Sequence, residues 1–249
     1  MIDVLTFYVV GGSIAMMAAV LIGLGAALKK SGWPQVEQSR ATQAVASVLI
    51  GWFAVAATLS WHGAFEGTLD RAPTIQYGLF IPIIVGIVMM WRSAFVARII
   101  DIVPQQWIIA VQLYRALGVV FLVQYAMGHM PGLFALPAGI GDVAVGLLAP
   151  VVAGRYARNP QARAAEVRTW NLLGIADLAV AVGTGFLTSP SALQLFAFDN
   201  PNTLISTFPL VLVPVYLVPL SILLHIASLK KLGQMTAQAP PLRSDARAS

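Results

Sequence analysis

Long apolar runs separated by short clusters of charged residues are the dominant pattern of this chain. A helix needs about 20 apolar residues to cross ~30 Å of hydrocarbon, and each run reaches that length. The pattern therefore predicts an all-α integral membrane protein, a seven-transmembrane-helix bundle that forms a single domain over residues 1–234. The predicted spans are 4–28, 42–63, 74–95, 107–128, 133–153, 169–189 and 204–228.

The two ends of the chain differ in character. The first run follows directly on Asp3 and is longer than the ~7–15-residue apolar core of a signal peptide, which also starts with basic residues. We therefore expect it to be retained as a helix. Residues 235–249 are polar and include two adjacent prolines, a composition typical of a disordered segment, which here would be a cytoplasmic tail.

Composition strengthens this interpretation. The chain is 58% apolar and only 10% charged, with a mean hydropathy of +0.80, whereas soluble globular domains carry about 25% charged residues. It has no cysteine, which excludes disulfides, thiolate nucleophiles and iron–sulfur or zinc sites that need cysteine ligands.

Lysine and arginine are distributed very unevenly along the chain. All but two of the 15 fall in segments that would lie on one side of the bundle; the exceptions are Arg71, on the other side, and Arg115, inside a span. Because basic loops stay on the cytoplasmic side, the sequence predicts an outside N-terminus and an inside C-terminus, with a bacterial inner membrane as the expected location. The basic segments carry Lys29, Lys30, Arg40, Arg92, Arg98, Arg155, Arg158, Arg163, Arg168, Lys230, Lys231, Arg243 and Arg247.

The positions of these charges also suggest partners. In a soluble protein a net charge of +5 would raise the question of nucleic acid, but basic residues between apolar runs fit anionic lipid headgroups, and we expect no nucleic-acid partner. A homo-oligomer is left open. Trp33, Trp91, Trp107 and Trp170 fall at the predicted inner boundary and Trp61 at the outer one, which is typical of aromatic belts.

Three ionisable residues, Arg115, Asp142 and Asp177, lie well inside predicted spans. A charge at the centre of a bilayer costs at least ~2.5–3.5 kcal/mol, so we expect the three to face the protein interior and pair with one another. Counting 1.5 Å per residue places all three near the midplane. Gln112 and Asn171 are further polar residues at depth and complete the predicted proton- or substrate-binding set.

Charge balance makes this set a functional candidate. One arginine cannot neutralise two ionised aspartates, so either one carboxyl is protonated or a cation completes the site. Asp142, predicted to lie about one turn from the level of Arg115, is the better candidate for the protonated member. The alternative is a buried salt bridge with a neutral aspartate that only fixes helix packing.

Proline is concentrated in the last span, as Pro209, Pro214 and Pro219. A proline inside a helix removes a backbone hydrogen bond, so the carbonyls of residues 205, 210 and 215 should lose their usual partners. Such carbonyls either find donors on neighbouring helices or line a cavity. The sequence therefore predicts a kinked seventh helix.

The histidines offer a weaker possibility. His62 and His129 lie at the outer ends of their helices, where two histidines are conceivable as haem or metal ligands, although interfacial polar residues explain them as well. His225 is expected near the inner boundary and alone. Between spans, residues 155–168 are expected to form a basic loop that lies on the inner leaflet as a short amphipathic piece. The apolar loop 189–203 could cap a cavity.

Seven helices with an outside N-terminus resemble the microbial rhodopsins in helix count. Retinal attachment would require a lysine midway along the last helix, but the four lysines, at 29, 30, 230 and 231, all lie at helix ends. We therefore expect no retinal Schiff base, and no other feature identifies a cofactor; haem is disfavoured.

Three function classes remain open from the sequence. The first is a small proton- or cation-coupled transporter with its site at Arg115, Asp142 and Asp177. The second is a membrane-embedded enzyme or redox protein that acts on a lipid-like substrate. The third is a sensor or assembly subunit in which the buried charges are purely structural.

Overall fold

The computed structural model describes residues 4–238, with side chains from 4 to 234. Throughout this range regular structure is helical, and it holds seven stretches long and apolar enough to cross a membrane. The predicted fold class is confirmed to that extent. The helices are α1 (Val4–Lys30), α2 (Gln35–Trp61), α3 (Ile75–Arg92), α4 (Ala94–Ile102), α5 (Gln105–Ala110), α6 (Val119–Ala126), α7 (Gly132–Arg158), α8 (Pro160–Thr188) and α9 (Val218–Gln238).

The long helices alternate in direction, so their ends form two faces. We call the face where α1, α3 and α7 end the basic end, because their last turns carry Lys29, Lys30, Arg92, Arg155 and Arg158. We call the opposite face the loop end, because the connections 62–74, 127–131 and 189–212 lie there.

A short helix, α4, fills what the sequence presented as a connection at the basic end. Ser93 caps it, with its Oγ accepting a hydrogen bond from the Val96 backbone at 3.3 Å. Ile99 packs against the α1–α2 core and Ile100 against Ala227 of α9. The helix was missed because its nine residues are too few to span a membrane and most of it lies between the predicted spans 74–95 and 107–128.

The predicted loop 155–168 is wrong, because α7 continues to Arg158 and α8 begins at Pro160. Asn159 caps α8, accepting from the Ala162 backbone at 3.1 Å, and proline is well tolerated at the first helical position. Glu166 then pairs with both Arg155 and Arg163. These local contacts make the basic segment helical despite its polarity.

The fourth span is not a uniform α-helix. Between α5 and α6, residues Val111–Gly118 form a 3-10 helix, a tighter geometry that proteins use only in short pieces. Here α7 approaches closely: a Cβ on Gly146 would stand 2.5 Å from the backbone nitrogen of Ala116. The 3-10 segment therefore packs backbone to backbone against α7, and it carries Arg115.

The seventh span also departs from its prediction. Residues Val213–Leu217 form a π-helix that leads into α9, and Pro209 lies before it, so the expectation of three prolines inside one helix is wrong. Pro214 stands in the first turn of the π-helix, where a missing N–H costs little. Pro219 follows at the start of α9, and the carbonyl of Val215 accepts instead from Trp52 Nε1 at 3.1 Å.

The centre of the bundle is built mainly from α5 to α9, and α1 and α2 cover one side of it. Tyr216 of the π-helix is fully buried, with Trp52 and Phe53 of α2 packed edge-on against its ring. Trp170, predicted as a boundary anchor, is also buried and donates to the Val145 carbonyl at 3.3 Å. Finally, α9 continues to Gln238, four residues into the predicted tail; 239–249 lie outside the described residues.

Candidate functional site

Arg115 lies at the middle of the bundle, where the 3-10 segment faces α7 and α8. Only 3% of the residue is exposed. In such surroundings a guanidinium is stable only if its N–H groups are paired with acceptors. Its three nitrogens reach acceptors on α7, α8 and α9, so this one side chain joins three helices.

Both predicted aspartates pair with Arg115. Asp142 Oδ1 accepts from Nε at 2.8 Å and lies 2.7 Å from Nη2. Asp177 Oδ2 accepts from Nη2, and Nη1 donates to the Gly174 carbonyl at 3.2 Å. The expectation that the three charges come together is met by the geometry, and we call Arg115, Asp142 and Asp177 the charge cluster.

Glycines make room for the charge cluster. A Cβ on Gly118 would collide with the Asp142 side chain, and one on Gly141 would collide with the Asp177 carboxylate. On α8, a Cβ on Gly174 would stand 2.5 Å from the His225 ring. Small residues therefore let the backbones come close enough for one arginine to bridge two carboxylates.

His225 was expected to be alone near a boundary, and that expectation is wrong. It is completely buried, with Nε2 3.1 Å from Arg115 Nη1 and Nδ1 2.9 Å from Asn171 Oδ1. Because a guanidinium can only donate, Nε2 must accept, and the proton must lie on Nδ1. The contacts therefore assign His225 as neutral, with Asn171 fixing its tautomer.

The polar contacts continue toward the basic end. Asn171 Nδ2 donates to the Val167 carbonyl at 2.8 Å and to Ser228 Oγ at 2.9 Å. Ser228 Oγ also accepts from Gln105 Nε2 at 2.7 Å. His225, Asn171, Ser228 and Gln105 thus form a buried chain of hydrogen bonds from the charge cluster to the start of α5; we call it the polar chain.

Gln112, the fifth predicted site residue, lies near the cluster but bonds elsewhere. It is fully buried and exchanges two hydrogen bonds with Ser221 of α9: Nε2 donates to the Ser221 carbonyl at 3.1 Å, and Oε1 accepts from Ser221 Oγ at 2.7 Å. It therefore ties the 3-10 segment to α9 and is not a direct partner of Arg115.

Sequence reasoning missed His225, Ser221 and Ser228. Their spacing was a usable signal, because residues 221, 225 and 228 follow the i, i+4, i+7 rule and so share one face of a helix. A polar stripe on an otherwise apolar helix is expected to face other polar groups inside the bundle. Here the stripe faces Gln112, Arg115 and Asn171.

Two adjoining cavities meet at Asp142. The larger one extends toward the loop end between α3, α8 and the π-helix, and its volume is ≈ 60 Å³. The smaller, ≈ 30 Å³, flanks Arg115 and Ser221. Ser189 and Pro190, from the loop predicted to cap a cavity, lie on the wall of the larger one. The charge cluster therefore borders open space on its loop-end side.

The charge cluster carries one more negative than positive charge when both of its aspartates are ionised. Arg115 supplies one positive charge, Asp142 and Asp177 supply two negative charges if both are ionised, and His225 is neutral. An unpaired buried charge is costly, so the cluster needs one more positive charge, which a proton or a bound cation would supply.

The other predicted ligands are not brought into the cluster. His62 and His129 are exposed at the loop end, and His129 Nδ1 lies 3.0 Å from Gln124 Oε1. Over the described range, no group of three or more histidine, aspartate, glutamate or cysteine residues is arranged to hold a metal ion.

A family model matches most of this architecture. Residues 72–233 match a family described as "Domain of unknown function (DUF8737)". The matched range is more than half of the chain and runs from just before α3 into α9, so the charge cluster and the polar chain lie within it. No curated protein and no solved structure matches the chain.

Proposed function

We propose that this chain, which belongs to the DUF8737 family, is an integral membrane transporter that couples passage of a small solute to protons or other cations. The seven apolar helices support membrane insertion. The uneven distribution of lysine and arginine supports an outside loop end and a cytoplasmic basic end.

One observation carries the proposal: Asp142 belongs to the charge cluster and also borders both cavities. A purely structural ion pair would be best stabilised by complete enclosure and equal numbers of charges. This cluster has an excess carboxylate and faces open space. It therefore has the features of a site that takes up and releases a positive charge.

The proton is the coupling ion that best fits the contacts. Arg115 lies within hydrogen-bond distance of both carboxylates, and its charge would repel a metal cation placed between them. A proton adds its charge on a carboxyl oxygen and needs no further ligands. Intramembrane carboxylates commonly serve as such proton carriers.

In alternating access, the charge cluster would lose its opening toward the loop end and gain an opening toward the basic end. In the described conformation open space lies on the loop-end side, while the polar chain fills the other side. The irregular backbone next to the cluster, 3-10 at Val111–Gly118 and π at Val213–Leu217, is where we place the movement, because such segments often mark hinges.

Proteoliposomes with an entrapped pH-sensitive dye test this function. With no solute present, the carrier should still cycle between its protonated, neutral form and its empty, negatively charged form. A potassium diffusion potential, negative inside, drives the empty form outward and should therefore make proton entry faster than in protein-free liposomes. Asp142→Asn should abolish the difference, because the isosteric amide cannot carry the proton. Asp70→Asn, an exposed aspartate at the loop end, is the matched control and should leave the rate unchanged. Equal rates for wild type, Asp142→Asn and protein-free liposomes would contradict the proposal.

A further inference from the structure

We propose that the larger cavity beside Asp142 binds a small quaternary ammonium cation, and that this cation exchanges for the proton of the charge cluster. This rests on the proposed function, because it names the solute that the same cluster would carry. The juxtaposition behind it is an excess carboxylate at the edge of an apolar cavity walled by phenylalanines.

The walls of the cavity suit an apolar body that carries a charge. Four phenylalanines, Phe65, Phe121, Phe134 and Phe186, line it together with aliphatic side chains such as Leu79. Aromatic faces attract ammonium groups, and recognition of quaternary ammonium ions is a known use of such walls. A neutral apolar ligand would gain the same burial but would not balance the cluster's charge.

Two polar atoms give the cavity its chemical character. Asp142 uses only Oδ1 to accept from Arg115, and its Oδ2 accepts no hydrogen bond from the described residues. Ser189 Oγ, on the wall of the same cavity, is buried and has no partner among those residues. Asp142 Oδ2 would hold the ammonium charge. Ser189 lies about 18 Å along α8 from Asp177, so its hydroxyl lies at the loop-end mouth of the cavity, where an entering cation would first meet it.

Two loops close this cavity at the loop end. The Ala192 backbone donates to the Arg71 carbonyl at 2.9 Å, and Gly67 lies so close to the Pro190 carbonyl that a Cβ could not fit. The loops that follow α2 and α8 thus meet beside residues that line the cavity. Separation of these two loops would admit a ligand from the loop end.

The exchange step balances in charge and atoms. Before binding, the Asp142–Asp177 pair holds one proton, which neutralises its excess charge. When the cation enters, its fixed positive charge takes over that role, the carboxylic O–H bond breaks, and the proton leaves to water. Cation binding therefore releases one proton, and by reciprocity a low pH weakens cation binding.

Choline and 3,3-dimethylbutan-1-ol form the test pair, because they match in shape and hydroxyl group and differ in charge. Titration calorimetry on the purified full chain in detergent should show saturable binding of choline and none of the neutral analogue. Below the pH at which the pair ionises, choline affinity should rise about tenfold per pH unit, since one proton is released per cation bound.

Three variants sharpen the test. Asp142→Asn should weaken choline binding at least about tenfold and abolish its pH dependence, because Arg115 and Asp177 then balance each other. Ala181→Leu should also abolish binding, since it fills the cavity without altering the charge cluster. Asp70→Asn should bind choline like the wild type.

Several results would overturn the inference: equal binding of the two probes, choline binding that survives Asp142→Asn, or no choline binding at all. These failures are distinguishable from failure of the proposed function. If wild type conducts protons and Asp142→Asn does not, while choline does not bind, the coupled transporter stands and the ammonium ligand is wrong.

Discussion

The first two helices and the helices from α5 onward use polar groups in opposite ways. In α1 and α2 the charged side chains lie near the basic end, at Lys29, Lys30, Glu37 and Arg40. The later helices hold Arg115, Asp142, Asp177 and His225 at depth. The family match begins at residue 72 and so leaves α1 and α2 outside it. The first two helices form a cover, and the later ones carry the site.

The cover formed by α1 and α2 nevertheless donates hydrogen bonds to the irregular backbone beside the site. Tyr8 of α1 donates to the Leu117 carbonyl at 2.8 Å, within the 3-10 segment, and Trp52 of α2 donates to Val215 in the π-helix. Carbonyls without helical partners are costly in an apolar solvent. The comparison therefore shows a division of labour: irregular geometry positions the site, and regular neighbouring helices stabilise that geometry.

The largest expected effect comes from removal of the shared cation. Arg115→Leu leaves Asp142 and Asp177 buried without a partner, which should cost about 3–5 kcal/mol or more and prevent recovery of folded protein. Size-exclusion chromatography and thermal unfolding in detergent measure this. The triple variant that adds Asp142→Asn and Asp177→Asn should recover part of the loss, because no buried charge then remains.

Arg71→Leu is the control for this prediction. Its side chain is 81% exposed at the loop end, and its Asp70 contact is long, at 4.0 Å. The change should alter stability by less than about 0.5 kcal/mol. If Arg115→Leu unfolds at the wild-type temperature, the charge cluster does not hold the later helices together.

A smaller effect is expected at the close approach of α7 and the 3-10 segment. Gly146→Ala places a methyl group against the Ala116 backbone, which should cost about 1–3 kcal/mol because backbone must move. Thermal unfolding checks this. Gly154→Ala in the same helix and Gly11→Ala in α1 have no atom within 4 Å of the new Cβ. An equal loss of stability at all three positions would show that the close contact between α7 and the 3-10 segment adds no specific constraint.

The smallest effect concerns the contact between cover and site. Trp52→Phe keeps an aromatic ring beside Tyr216 but removes the donor to the Val215 carbonyl, so it should cost about 1 kcal/mol. Trp61→Phe is the matched control, because Trp61 is exposed and makes an edge contact with Phe208 that a phenyl ring can keep. Equal unfolding temperatures for the two variants would show that the indole does not stabilise the π-helix.

The sequence predicted the long helices and the charge cluster because both follow from the cost of polar groups in hydrocarbon. Run length fixed the spans, and the need for neutralisation brought Arg115 to Asp142 and Asp177. Departures from α geometry were less accessible. The 3-10 turn at Val111–Gly118 depends on the close fit of Gly146, a tertiary contact that periodicity does not contain.

The sequence analysis also misplaced two helix ends at the basic end and missed the contacts of His225. Asn159 and Pro160 initiate a helix inside a segment whose polarity suggested a loop, because capping acts locally whatever the average hydropathy. His225 was assigned to a boundary since its depth was judged from an end that actually extends to Gln238. The longer helix places it beside Arg115 and Asn171.

The central claim is that the Asp142–Asp177 pair holds one proton because it shares one arginine. Infrared difference spectroscopy of purified wild-type protein across a pH titration tests it directly. The account predicts a protonated-carboxyl band that disappears as pH rises and is absent in both Asp142→Asn and Asp177→Asn, since one remaining aspartate is neutralised by Arg115. A wild type without this band at any pH, or a band that persists in either single variant, would contradict it.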